Sequence, residues 1–187
     1  VAALDKTFGL LDGEPDLVDA DDAIELPPIR GEITFSDVTF AYTGREDDPA
    51  LADVDLVIPP GQTVALVGAT GAGKSTFAKL VARFHDPSAG AILVDGHDTT
   101  KVTRKSLRRY IATVFQDAGL LNRSISDNIR LGRENASDED MRRAAEAAAA
   151  ADFIETREDQ YDTHAGERGN RPSCGERQRV PTARAIL

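Results

Sequence analysis

The nine residues from Gly68 to Thr76, GATGAGKST, carry the clearest chemistry in the sequence. They fit G-x-x-x-x-G-K-[ST], a spacing in which glycines let the backbone wrap closely around a phosphate with its N–H groups turned inward. A helix that follows adds the positive end of its dipole. In such a loop Lys74 reaches the β and γ phosphates and Ser75 stands where a hydroxyl can hold Mg²⁺. Gly68, Thr70, Gly71, Gly73, Lys74, Ser75 and Thr76 are therefore the candidate phosphate-binding residues. The pattern by itself leaves a kinase, a GTPase, a recombinase-like motor and a transporter ATPase open.

A phosphate loop of this kind needs a strand before it and a helix after it. The run TVALVG, residues 63–68, is continuously apolar and predicts a strand buried on both faces. Phe77, Leu80, Val81 and Phe84 follow at i, i+3, i+4 and i+7, which predicts a helix that ends at HDPSAG. Upstream, EITFSDVTFAY alternates apolar and polar residues with one slip at Ser36-Asp37, and DVDLVI sets Val54, Leu56 and Ile58 on one face before the turn PPG. Both patterns predict a half-exposed antiparallel sheet. AILVDG and IATVF read as two further short buried strands. Beyond Phe115 the pattern turns helical: Ser137 and Asp140 mark a capped start, and the alanine-rich MRRAAEAAAAADFI continues it. Residues 1–30 stand apart. Leu4, Phe8 and Leu11 suggest a short helix, followed by an acidic, proline-broken connector.

The charge balance narrows the partners. A net charge of -10 disfavours binding to nucleic acid, which requires a basic face, so a phosphate has to be held locally. The single cysteine, Cys174, excludes an internal disulfide framework, and His85, His97 and His164 are too scattered to suggest a metal centre. No run of about 18 apolar residues is present that would span a bilayer.

Four further features occur in a telling order: Tyr42 on the sheet before the loop, Gln116 after IATVF, THAGERG at residues 163–169, and SCGERQRVPTARAIL at the end. Together with the phosphate loop they resemble the ATP-binding domain of ABC transporters, in particular the exporter type fused to a membrane domain. The resemblance runs from about Gly31 to Leu187. It implies an α/β fold: a P-loop NTPase core with an antiparallel β subdomain and a helical subdomain near residues 118–172. Residues 1–30 would be the connector from a preceding membrane domain. It further implies that Tyr42 stacks on the adenine of ATP, that Gln116 contacts Mg²⁺ and the attacking water, and that GERG at 166–169 faces the membrane domain. Ser173, Gly175 and Glu176 stand in the signature that touches ATP on a second domain paired head to tail. ATP binding and hydrolysis at the cytoplasmic face of a membrane would then drive export.

The match also departs from the family pattern. The signature Leu-Ser-Gly-Gly-Gln is Pro172, Ser173, Cys174, Gly175 and Glu176 here. Cys174 adds a side chain where the backbone should approach a phosphate. Glu176 is either a carboxylate facing a polyanion or, with Ser173, a capping box for an ordinary helix. Pro181 lacks the N–H that a helix from Cys174 needs and predicts a kink or an early end. The family's Asp-Glu strand and switch histidine are not found before Leu187, so the domain reads as C-terminally incomplete and, alone, as inactive in hydrolysis. In that case TVALV would lose its strand neighbours. The alternative readings are a degenerate, non-hydrolytic nucleotide-binding module and a soluble P-loop kinase; the connector at residues 1–30 speaks against the kinase.

Overall fold

The structure is a computed structural model that describes residues 17–115, 119–166 and 173–187. The expected helix around Leu4 and Phe8 lies outside those residues. Backbone contacts divide the chain into two units, Val1–Ile111 and Ala112–Leu187.

The first unit is built on a four-stranded antiparallel sheet. Its strands β1 (Ile33–Phe40), β2 (Leu51–Ile58), β3 (Ala89–Val94) and β4 (His97–Asp98) lie in the order β2-β1-β3-β4. The slip read at Ser36-Asp37 is a bulge. Phe35 pairs with Leu56, the next pair is Val38 with Val54, and Asp37 takes φ 48° with its N–H donated to Asp55 Oδ1 at 3.0 Å. The extra residue restores the alternation, so Phe35, Val38 and Phe40 all point inward. Helix α1 (Lys74–Val81) lays Phe77 and Leu80 on that face. Phe77 stacks on Phe35 with centroids 4.2 Å apart, and Ile92 completes the cluster. Burial of each such side chain contributes about 1.5–3 kcal/mol.

Phe84, assigned to the helix by its spacing, falls beyond it and is 39% exposed. The helix closes earlier because Arg83 turns left-handed at φ 48°. Phe84 N–H then bonds Lys79 O at 2.9 Å and Arg83 N–H bonds Leu80 O at 3.0 Å, the double closure that usually employs glycine. Arginine bears the conformational cost because its side chain is anchored. It is 2% exposed and donates to Asp86, Asp19 and the Val102 carbonyl.

Asp19 also accepts from the backbone and side chain of Arg104, at the start of helix α2 (Arg104–Arg108). Ile24 forms a parallel bridge to Val102, and Leu26 is buried beside Val94, Val102 and Leu107, its N–H bonded to Ser106 Oγ. The carboxylate of Asp95 gathers the N–H groups of Arg30, Gly31 and Glu32. Those bonds, Arg30's first, hold its pKa below the usual carboxylate range. The acidic stretch from residue 17 to 32 is therefore stitched to the sheet unit.

The expected buried strand TVALVG does not form. Residues 62–69 adopt no regular structure, and Val64, Leu66 and Val67 are 43%, 41% and 93% exposed. IATVF differs from expectation in the same way, with Val114 and Phe115 exposed. A strand buried on both faces needs a hydrogen-bonding neighbour along its edges and a layer on each side. Among the described residues, no strand pairs with either segment.

The second unit is helical: α3 (Ile125–Arg130), α4 (Asp138–Ala147), α5 (Ala151–Glu155), a 3-10 turn (Gln160–Asp162) and α6 (Cys174–Ile186). Ser124 and Ser137 cap α3 and α4, accepting from Asp127 and Asp140 N–H. The alanine tract is not one helix. It breaks at Ala149, φ 52°, where Ala150 N–H reaches back to Ala145 O at 2.7 Å, and the turn brings Ala145, Ala150 and Ile154 into one core. Pro181 neither ends nor shortens α6, which runs on to Ile186. Around it Val180 and Ala183 are fully buried, and Arg184 donates to the Asn128 carbonyl at 2.9 Å, so packing holds the turn that the missing N–H weakens.

Candidate nucleotide site

The phosphate loop is a run of turns shaped by its glycines. Gly71 and Gly73 lie at φ 88° and 79°, and Gly73 is the N-cap of α1. Gly73 is also pressed from outside. A Cβ at this position would fall 2.8 Å from Leu51 Cδ2 and closer still to the Ala50 carbonyl oxygen. The start of β2 thus sets the position of the loop, and only a residue without a side chain fits between them. Lys74 folds its ammonium across the loop, donating to the carbonyls of Gly68 at 2.8 Å and Ala69 at 2.7 Å.

A cavity of about 650 Å³ opens on this loop, lined by residues 70–76 together with Tyr42, Arg45 and Asp48 to Ala50. The structure therefore brings Tyr42 and the phosphate loop to a single cavity. The Tyr42 hydroxyl shares a hydrogen bond with Thr76 Oγ1 at 3.1 Å, tying the ring to the first turn of α1. Its ring meets Phe40 edge-on at 4.9 Å and His85 at 5.4 Å, so one part of Tyr42 is core and another faces the cavity. Ser75 is exposed at the cavity wall, whereas Thr76 is buried beneath it. Among the described residues no three His, Cys, Asp or Glu side chains cluster as a metal cage. A hydroxyl at a phosphate loop suits Mg²⁺, which keeps most of its waters and takes its remaining ligands from phosphate and one or two protein groups.

Gln116, Asp117, Pro172 and most of GERG lie outside the described residues. Asp95 is absent from the cavity lining and spent on three backbone N–H groups.

Ser173 caps α6, and Glu176 returns the bond to Ser173 N–H at 2.6 Å, a complete capping box. Glu176 also accepts from Arg157 Nη2 at 3.0 Å. The Ser173 backbone bond, opposed by partial burial and aided by Arg157, holds its pKa below the usual glutamate range. Of the two roles open to Glu176 in the sequence, the capping one is formed, with an arginine neutralising it. Gly175 is exposed and a Cβ there would meet nothing within 4 Å.

Sequence reasoning missed Arg45, Asp48, Pro49 and Ala50. The stretch GREDDPA has the composition of a solvated loop. The only signal was its position between Tyr42 and β2, both of which touch the phosphate loop.

The sequence matches the family described as ABC transporter over residues 51–187. It is 68% identical over 163 residues to a β-(1→2)glucan export ATP-binding/permease protein NdvA of Rhizobium etli, covering 87% of this chain and 27% of that protein. The NdvA protein of Rhizobium meliloti is 55% identical over 186 residues, covering 100% of this chain and 32% of that one. A solved bacterial Atm1-family ABC exporter with ATP bound superimposes with a TM-score of 0.91 at 42% identity, over 99% of this chain and 32% of that chain. The chain thus spans roughly a third or less of the length of the relatives it matches.

Proposed function

From the premise that this chain belongs to the ABC transporter family and has the fold of an exporter's ATPase domain, we propose that it binds ATP in the cavity between Tyr42 and the loop 68–76. The supporting observation is that one cavity is lined both by the ring of Tyr42 and by Lys74 at the N-terminus of α1. Adenine would stack on Tyr42. The backbone N–H groups of residues 70–76 would receive the phosphates, and Lys74 would exchange its two carbonyl partners for phosphate oxygens. Ser75 and Gln116 would hold Mg²⁺, which supplies charge neutralisation at the β and γ phosphates.

In the intact protein Ser173 and Gly175, at the capped start of α6, would meet ATP on a second domain paired head to tail. Glu176 would keep that helix start in shape. The relatives are named ATP-binding/permease proteins, which supports a membrane domain in the intact protein; a position at the cytoplasmic face of that membrane is part of the same proposal. Their named cargo, β-(1→2)glucan, is the corresponding proposal for the intact protein. Hydrolysis belongs to that larger assembly. The described wall of this cavity carries only one carboxylate, Asp48, so the 187 residues alone should bind nucleotide and release phosphate at background.

The test is displacement of a fluorescent ATP analogue by Mg-ATP, with Lys74→Ala in parallel. Loss of binding in a folded Lys74→Ala variant is the expected result; unchanged affinity overturns the assignment. A non-hydrolytic regulatory role is the second reading, and the departures Cys174 and Pro181 favour it. ATP turnover by the intact protein would exclude it.

A further inference from the structure

Resting on the ATP-site reading above, we propose that Arg45 is a phosphate-binding residue of the same cavity, supplying a second cation to the polyphosphate chain. Arg45 and Lys74 are the only cationic side chains among the residues that line it. Lys74 already satisfies two loop carbonyls. Arg45, by contrast, makes no ion pair among the described residues, although Glu46, Asp47 and Asp48 follow it directly. Glu46 is turned away to accept the Gly44 N–H at 2.9 Å. An unpaired guanidinium next to three carboxylates, in a chain of net charge -10, is the arrangement expected of a cation reserved for an anion that arrives from outside.

Arg45 is also placed by a defined backbone. Its N–H bonds Tyr42 O at 2.9 Å, and Asp48 N–H bonds Arg45 O at 3.0 Å. Two residues further on, Ala50 presses against Gly73 of the phosphate loop. The loop that carries Arg45 is therefore fixed to Tyr42 at one end and to the phosphate loop at the other, and Arg45 lines the cavity they share. ATP brings several negative charges and Lys74 offers one positive charge. A planar fork that binds two phosphate oxygens at once meets the need better than a second lysine would.

The experiment is competition against a fluorescent ATP analogue on the whole chain, using ATP and inorganic tripolyphosphate as competitors. Wild type, Arg45→Ala, Arg45→Lys and Lys74→Ala are compared across a salt series. Arg45 is exposed on a loop, so its variants should fold, and matched circular dichroism melts check this. Arg45→Ala should weaken ATP and tripolyphosphate by the same factor, roughly tenfold, and flatten the salt dependence; Arg45→Lys should recover part of the loss, as a point charge without the fork. A loss confined to ATP would mean that Arg45 contacts the base and would overturn the proposal, as would unchanged binding of both competitors. If Lys74→Ala abolishes binding while Arg45→Ala does nothing, the inference fails and the site stands. If neither matters, the site reading itself fails.

Discussion

Three glycines of one loop offer a graded test of how the phosphate loop is held. Gly68 has an ordinary φ and its added Cβ would meet the Ala72 methyl at 3.2 Å, a contact relieved by a few tenths of an ångström. Gly71 sits at φ 88° with open space around it, so Gly71→Ala bears only the left-handed penalty, about 1–2 kcal/mol. Gly73, at φ 79°, bears that penalty and a collision with the Ala50 backbone and Leu51 side chain. Overpacking of this kind adds about 1–3 kcal/mol. The expected order of destabilisation by alanine is therefore Gly73 above Gly71 above Gly68, with Gly73→Ala near 2–5 kcal/mol and Gly68→Ala under about 1 kcal/mol. Urea denaturation of the whole chain measures it, and nucleotide competition on the same samples shows whether affinity falls in the same order. Gly71→Ala costing as much as Gly73→Ala would refute the reasoning, since it would mean that the start of β2 yields to the new methyl and does not set the loop.

Tyr42→Ala should weaken ATP by about 1–3 kcal/mol, the scale of base stacking, and leave tripolyphosphate competition unchanged; equal losses would assign Tyr42 to the core alone. Tyr42→Phe should keep the stacking and lose about 0.5–1.5 kcal/mol of stability with the Thr76 hydrogen bond, read by thermal melting. Glu176→Gln should cost about 1 kcal/mol at neutral pH, through the weakened cap and the lost Arg157 pair. Because the folded state lowers the Glu176 pKa, its contribution is complete above the ordinary glutamate range and disappears as pH falls through the lowered value. Melting curves of wild type and variant should accordingly converge in acid, and a constant gap down to pH values below that range would exclude the ionised cap.

What could be read in the sequence is what local chemistry decides. The slip at Ser36-Asp37, which is a bulge, the capped start at Ser137, and the box of Ser173 with Glu176, one of the two roles open to that glutamate, each depend on residues within a few positions. The misreadings involve distant partners. TVALVG has the composition of a doubly buried strand, but burial depends on neighbours that no run of six residues specifies. Ala149 leaves the helix, against the propensity of alanine, because Ala145, Ala150 and Ile154 must share one core. Pro181 stays helical because fully buried neighbours grip the turn. In the cavity, Tyr42 and Lys74 were legible through their motifs, whereas Arg45 was hidden in a loop whose acidic composition suggests nothing but solvent.

The fork of Asp19 between Arg83 and Arg104 matters when the chain is pulled. Tension entering at residue 17 meets three fastenings in series: that fork, the Ile24–Val102 bridge and the ring of N–H groups on Asp95. The bridge is parallel, with Ile24 N–H bonded to Lys101 O and Ile24 O accepting from Thr103 N–H, so both backbone polar groups of Ile24 are engaged. Detaching Asp19 would leave the buried guanidinium of Arg83 with one carboxylate in place of two, which favours re-attachment over slack. The first of these fastenings lies just beyond the end of α1, the helix that begins at the phosphate loop.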